Sequence, residues 1–168
     1  ILFLDYNKAS LLEYRCDRSD ADLTFLKPSE KTNDEKYTYT FDHWDCDLSD
    51  LTQGYYTATP VYRADLRVFE VKYYDEGKLI YTEKVKYGED AYSSRVKPEK
   101  KPSTAKYDYT FVGWDGVSTN ITADVNLNAR YQESIRQYNV EFNYGDGKKE
   151  LKKVNYGDAA VAPQNTAK

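Results

Sequence analysis

Apolar and polar residues alternate most clearly in the middle of the chain, and this pattern predicts four β-strands there. Phe69, Val71 and Tyr73 would share one face of the first strand, because side chains two positions apart in a strand point to the same side. A turn at 75–78 leads into a second strand that pairs antiparallel with the first. The predicted strands are Arg67–Tyr74, Leu79–Tyr87, Tyr107–Trp114 and Val125–Tyr131.

The segment between the second and third of these strands predicts a short helix at Glu89–Val96. Acidic residues lie in its first turn, which favours a helix N-terminus, and Ala91 would face inward. Lys97 would end the helix, because a residue that precedes a proline avoids the α region. The order strand, strand, short helix, strand, strand predicts an α+β fold in which the helix covers one face of a single sheet.

The residues around the two tryptophans form a sequence motif that occurs twice. Tyr37–Asp45 reads YTYTFDHWD and Tyr107–Asp115 reads YDYTFVGWD, at an offset of 70 residues. Such self-similarity predicts an array of one small unit. A third unit begins near Tyr138–Phe142, which is similar in sequence to Phe69–Tyr73, but no third copy of the tryptophan motif follows. The predicted domains are a first repeat at 1–64, clipped at its N-terminus, a second repeat at 67–133 and a partial third repeat at 136–168.

Composition excludes some classes of partner and leaves others open. The net charge of −4 argues against nucleic acid or an anionic membrane as a partner, and no run is long and apolar enough to span a bilayer. Eighteen tyrosines without any methionine fit half-buried sheet surfaces. Because the chain begins at Ile1, we expect it to be a fragment, so the lack of a visible signal peptide does not indicate a cytoplasmic protein.

The second repeat carries a resemblance to a known family. Its matching segments are Tyr87–Ala91, Tyr107–Trp114, Asn120–Asp124 and Ala129–Tyr131. Together they resemble the Listeria–Bacteroides repeat family, which includes the B-repeats of the internalins. The match is looser in the first repeat, where Asp17-Arg18 replaces Tyr-Gly and His43 replaces the glycine before the tryptophan, and it covers only the opening half of the third.

The resemblance implies tandem β-grasp (ubiquitin-like) repeats, each a mixed four-stranded sheet with one short helix. It also implies a secreted or cell-surface bacterial protein whose modules act as spacers or interaction units. The family has no catalytic residues to transfer to this chain. We therefore expect no enzyme activity, no cofactor and no metal.

The most reactive residue types lie at positions that the repeat does not require. His43, the only histidine, has Gly113 as its counterpart, which favours an ordinary strand residue over a catalytic or metal-ligating one. Cys16 and Cys46 correspond to Lys86 and Gly116. A disulfide between them would suit a secreted protein, but two unpaired thiols are the favoured interpretation.

Each charged cluster can be interpreted either as solvated surface or as a binding site. Asp42, Asp45, Asp47 and Asp50 surround Trp44 and could bind calcium, but the segment lacks the central glycine and closing glutamate of an EF-hand. Turn formation and solvation are favoured for these aspartates. Lysines near positions 97–106 could attract an acidic polysaccharide, although a solvated loop is the favoured reading.

Aromatic residues supply the candidate interaction surface. Trp44 and Trp114 could stack on sugars, but their repetition within the same strand pattern favours a role in the core of each repeat. The candidate surface consists of Trp44, Trp114, Tyr74 and Tyr81. Leu66 and Ile135 occupy equivalent positions in short connections at 62–67 and 131–136, and we expect them to contact neighbouring repeats.

These observations predict a non-catalytic tandem repeat segment that acts as a spacer or stalk, with adhesion as an added role. Its expected partners are neighbouring repeats and a host protein or polysaccharide. One alternative is a dedicated binding module for a host protein or glycan, which an exposed aromatic patch would favour. Another is an accessory region of a secreted enzyme.

Overall fold

The computed structural model describes residues 1–16, 21–49, 54–145 and 147–162, and its regular structure consists of ten strands over these ranges. The strands are β1 (Leu2–Leu4), β2 (Ser10–Glu13), β3 (Tyr37–Asp45), β4 (Thr57–Leu66), β5 (Val68–Asp75), β6 (Lys78–Lys86), β7 (Tyr107–Asp115), β8 (Val125–Ile135), β9 (Gln137–Asn143) and β10 (Lys149–Asn155). Period-two patterns are clearest in β5, whose residues from Phe69 alternate between buried and partly buried as far as Tyr73. The alternation of apolar side chains therefore positions this strand in the interior of its sheet.

Contacts divide the molecule into two compact units. The first contains Ile1–Phe69 together with two short pieces, Val85–Glu89 and Asn120–Ala123. Its four-stranded sheet has the order β2-β1-β4-β3. β1 and β4 are parallel, whereas the outer pairs are antiparallel. Phe3, Trp44 and Ala58 form the buried cluster of this sheet.

The second compact unit contains the remaining residues, including most of the second sheet and the hairpin that β9 and β10 form. The second sheet has the order β6-β5-β8-β7, with β5 parallel to β8 and β7 antiparallel to β8. Val71, Tyr73 and Leu127 are fully buried in it. The two four-stranded sheets thus have the same order and the same central parallel pair.

A β-bulge lies just before the tryptophan in each sheet. The pairing register shifts between Phe111 and Gly113 in β7. An equivalent shift separates Phe41 from His43 in β3. Gly113 has a φ of 135°, which a side chain rarely adopts. The bulge turns the tryptophan of each strand to the face that the aromatic residue before the bulge also occupies, since the two rings lie 5.5 and 5.3 Å apart in the two sheets.

The predicted α+β fold is wrong, because the part of the chain that the structure describes contains no helix and is built from sheets alone. The helix that the resemblance implied for each β-grasp repeat is therefore missing from the described ranges. At Glu89–Val96 the backbone forms turns, with the Arg95 amide donating to the Tyr92 carbonyl at 2.8 Å. The amide of Ala91 donates to the carbonyl of Ser118 at 2.8 Å in place of a helical partner.

Side chains from the sheet form hydrogen bonds with backbone groups of this segment that a helix would use for its own hydrogen bonds. The indole Nε1 of Trp114 donates to the carbonyls of Ser93 and Val96, at 3.0 and 3.1 Å. Glu83 accepts the amide hydrogen of Tyr92 at 3.0 Å. A helix of eight residues is marginal by itself, and these bonds stabilise an irregular backbone instead. In the first unit Trp44 makes the equivalent bond to the Leu26 carbonyl, at 2.8 Å.

None of the segments that the structure describes forms a helix long and apolar enough to cross a membrane.

Candidate functional site

The residues with the most reactive side chains do not assemble into a site. His43 is exposed, and its Nδ1 lies 2.8 Å from a carboxylate oxygen of Asp42. Cys16 and Cys46 are both free thiols, and burial raises the pKa of the Cys46 thiol. Over the described ranges, no three His, Cys, Asp or Glu side chains are grouped so that they could hold a metal ion.

The aspartates that suggested a calcium site are placed differently from one another. Asp47 accepts the amide hydrogen of Ser49 at 2.8 Å, which is turn geometry. Asp42 and Asp45 are exposed residues of β3. Asp50 lies outside the described residues, so three of the four can be placed, and these three belong to a strand and a turn.

The two tryptophans serve the interior of their sheets. Trp44 is buried, and its ring packs edge-on against Phe3 with the centroids 4.9 Å apart. Trp114 packs in the same way against Tyr73, also at 4.9 Å. Both indole N–H groups donate to backbone carbonyls. Because Trp44 is buried and Trp114 is partly buried, Trp44 offers no free ring face to a sugar and Trp114 offers only a partly exposed one.

A buried polar network that sequence reasoning missed joins two strands and the irregular segment of the second unit. The Tyr73 hydroxyl donates to the Glu83 carboxylate, which also accepts the Tyr92 amide. Burial, followed by the bond to Glu83, raises the pKa of the Tyr73 hydroxyl. The first repeat has Phe3 and an exposed Glu13 at the equivalent positions, so the network is particular to the second. The spacing of two between Glu83 and the buried Val85 was the signal that could have shown it facing inward.

A second tyrosine–carboxylate pair makes the stability of this unit depend on pH. The Tyr131 hydroxyl donates to Asp75 at 2.9 Å. Burial, followed by this bond and the charge of Asp75, raises the pKa of Tyr131 to about 12 from an ordinary value of 10.0. Because the folded pKa is the higher one, the stabilisation is fully present below about pH 10 and is lost as the pH rises from there to about 12.

We therefore expect the urea midpoint of the second unit to fall steeply between about pH 10 and 12. Tyr73 contributes in the same direction, since its pKa is also raised. In the Tyr131→Phe variant the slope over this interval should be smaller, which urea titrations at several pH values followed by circular dichroism would measure. Tyr55→Phe is the matched control, because Tyr55 is 61% exposed. Equal slopes for Tyr131→Phe and the unmodified chain would contradict the assignment.

Lysine–tyrosine stacking recurs on both sheets. The Nζ of Lys101 lies 4.3 Å from the ring centroid of Tyr109 and 5.1 Å from that of Tyr131. Lys31 lies 3.9 Å from the ring centroid of Tyr39 in the first unit. Lys101 also pairs with Glu76 at 2.7 Å, and this hydrogen bond raises the pKa of the lysine. These loop lysines therefore pack against tyrosine rings of their own sheets, which reduces the charged surface that could attract an acidic polysaccharide.

The candidate residues Leu66 and Ile135 are the last residues of β4 and β8, where they pair with Tyr37 and Tyr107. Leu66 is partly buried and Ile135 is exposed. The connections predicted to begin at 62 and 131 are thus largely strand.

The arginine that follows each of these strands has a role that the sequence did not indicate. Nη1 of Arg67 donates to the Asp34 carbonyl at 3.3 Å, and its guanidinium lies 5.1 Å from the ring centroid of Phe69. In the second unit Arg136 repeats both contacts, with the Thr104 carbonyl at 3.2 Å and the Tyr138 ring at 5.3 Å. Each arginine therefore bonds to a loop and stacks on an aromatic ring of its own compact unit.

An open groove of the second unit lies beside the edge strand β6 and holds the one candidate surface residue that is well exposed. Tyr81 is 48% exposed and contributes to the wall of this groove, whereas Tyr74 is only partly exposed. The groove has a volume of about 780 Å3 and runs between β6 and the turns at 92–99. It is a concave, partly apolar surface of the kind that binds ligands or peptides.

Comparisons with known proteins identify no relative. No family model matches the chain, no curated protein matches it, and no solved structure resembles it significantly. The resemblance to the Listeria–Bacteroides repeats consequently stays a prediction that rests on the sequence motifs alone.

Proposed function

We propose that this chain is a non-catalytic tandem repeat segment of a bacterial cell-surface or secreted protein, and that it acts as a spacer or stalk. The location at a cell surface or outside the cell is supported by the sequence resemblance of the second repeat. Neighbouring repeats are its first partners, and a host protein or polysaccharide is a further one.

One observation supports the spacer role above the others. The side chains that recur at the repeat offset make structural contacts, namely the indole bond to a backbone carbonyl and the arginine bond after β4 and β8. The reactive residue types do not recur, since Gly113 and Gly116 stand where the first repeat has His43 and Cys46. The repeated side chains are therefore those that stabilise each sheet and the segment that follows it, and these are the features that a spacer requires.

Copy number provides the test of the spacer role. Inserting a further copy of residues 67–135 after Ile135 should extend the maximum dimension in small-angle X-ray scattering by roughly 30 Å, the diameter expected for a folded unit of this size. The matched variant is the same insertion with Arg67 and Arg136 changed to alanine, which should show the same increment because each arginine bonds within its own compact unit. A maximum dimension that does not grow with the inserted copy would contradict a spacer.

A binding module is the second candidate, and a specific feature of the second unit favours it. Leu79, Ile80 and Tyr81 are consecutive exposed apolar residues on an edge strand. Exposed apolar groups concentrated at one place on a small protein commonly mark an interaction surface. A spacer alone does not need such a surface.

A further inference from the structure

The edge strand β6 has a core-facing side that its own sheet leaves partly uncovered. Leu79 and Tyr81 have the same parity as the buried Glu83 and Val85, yet they are 47% and 48% exposed. The irregular segment after β6 reaches only the end of the strand where the Tyr92 amide bonds to Glu83. The turns at 89–96 consequently leave the first half of β6 open.

The uncovered side of β6, with Leu79 and Tyr81, forms one wall of the groove. Tyr92, Arg95 and Val96 form the opposite wall. The guanidinium of Arg95 stacks over the Tyr92 ring with 5.0 Å to its centroid, which restrains this wall. The sheet order places no strand outside β6 within the described residues, so the groove borders an unpaired row of backbone groups that an added strand could use.

Basic residues outnumber acidic ones by three to two in the lining of the groove. Its lining includes Lys78, Arg95 and Lys97 against Asp75 and Glu99. Asp75 already accepts the Tyr131 hydroxyl. The three basic side chains form no ion pair with any described acidic residue. Their unpaired charge favours an occupant that brings carboxylates.

Pairing with a second copy of the same strand is disfavoured by these lysines. An antiparallel two-fold pairing centred on Tyr81 would place Lys78 opposite Lys84, and one centred on Thr82 would place it opposite Lys86. Like charges directly opposite each other destabilise a strand pair, and edge lysines are a common protection against self-association. The occupant is therefore better sought among other chains.

We propose that β6 and the groove beside it bind an extended segment of another protein, with apolar β-branched residues at its centre and acidic residues on both flanks. The segment would add as a strand to the free edge of β6, with alternate side chains entering the groove over Leu79 and Tyr81. Its carboxylates would face Lys78, Arg95 and Lys97. This proposal does not rest on the spacer role, because it concerns one surface of one sheet.

The same kind of edge recurs in the hairpin of the second unit. β10 carries Lys149, Lys152 and Lys153, and its central Leu151 is exposed. In the first sheet, β2 presents the exposed Leu11 and Leu12. An apolar centre on the second strand is thus a common property of the repeats, and an array of them would offer several related edges to one partner.

Titration of the full chain with a designed peptide tests the proposal. The probe is acetyl-Asp-Asp-Thr-Val-Ile-Val-Thr-Asp-Asp-amide, and the matched peptide has lysine in place of each aspartate. With 15N-labelled protein at low salt, the acidic peptide should bind at least about tenfold more tightly than the basic one. Its amide shifts should concentrate at residues 78–83 and 92–97, and added NaCl should weaken it.

Two variants locate the binding surface. Tyr81→Glu removes an apolar ring from the groove wall and places a carboxylate there, so it should abolish binding of the acidic peptide. Val112→Glu is its matched control, because Val112 is an exposed apolar residue on the opposite edge strand β7, and it should bind as the unmodified chain does. The double variant K78E/K97E should reverse the preference between the two peptides.

Four outcomes would overturn the proposal. They are no binding of either peptide up to about 1 mM, equal affinity for both, shifts outside the two segments, and unchanged affinity in Tyr81→Glu. Sedimentation equilibrium adds a fifth, since a concentration-dependent dimer that Tyr81→Glu dissolves would make a second copy the occupant instead.

Discussion

Replacing Trp44 with alanine is expected to lower the free energy of unfolding of the first unit by about 3–5 kcal/mol. The ring is buried against Phe3 and lies 5.5 Å from the Phe41 centroid, so alanine would leave a cavity that these neighbours cannot fill. The variant would also remove the 2.8 Å bond to the Leu26 carbonyl. A unit of this size has a total stability of roughly 3–10 kcal/mol, so the loss is comparable with the whole.

Urea denaturation followed by circular dichroism would measure this loss, while the fluorescence of Trp114 reports on the second unit. Trp44→Phe separates the two contributions, because it keeps most of the ring but removes the N–H donor, and it should cost about 1–3 kcal/mol. Tyr55→Ala is the control for an exposed aromatic residue of the first unit. A Trp44→Ala midpoint that equals the Tyr55→Ala midpoint would refute the assignment of Trp44 to the core.

Strand positions could be predicted because their signal lies within a few residues of sequence. The alternation of Phe69, Val71 and Tyr73 locates β5, and the glycine-containing turn locates the start of β6. The ends of β4 and β8 were placed too early, because the residues before Leu66 and Ile135 do not alternate. Pairing with the long strands β3 and β7 extends them, which is a tertiary effect that overrides local pattern.

The helix could not be judged from its own residues. Glu89–Val96 has the acidic start and the proline stop of a short helix, but the decisive partners lie elsewhere in the chain. Trp114 comes from β7 and Glu83 from β6, and they bond to a carbonyl and an amide of this segment. Weak local preference yields to such bonds when a helix has only about two turns.

The groove follows from the same failure of local prediction. The predicted fold has a helix at Glu89–Val96 over one face of the sheet, so it suggests no opening between this segment and β6. The sequence indicates Tyr81 by its residue type alone, and it predicts Arg95 and Val96 to be helical, although all three line the groove. Only the folded position of the turns shows that these side chains share one concave surface.

The largest effect expected in the second unit comes from a residue without a side chain. Gly116 has a φ of 127°, and an added Cβ would lie 2.7 Å from Leu127 Cδ2 and 3.0 Å from the Asn126 carbonyl oxygen. Leu127 is fully buried, so it cannot move away without disturbing the core. Gly116→Ala should therefore lower the free energy of unfolding of this unit by about 2–6 kcal/mol, combining backbone strain and overpacking.

Gly113→Ala separates strain from overpacking in the same sheet. Gly113 has a φ of 135°, but nothing lies within 4 Å of its added Cβ, so this variant should cost only the strain of about 1–3 kcal/mol. Urea midpoints read from tryptophan fluorescence would compare the two variants. The first repeat has His43 and Cys46 at these positions, and neither has a positive φ, which shows that the requirement for glycine belongs to the backbone of the second sheet. Equal losses in the two variants would mean that the close approach to Leu127 and Asn126 does not limit substitution at Gly116.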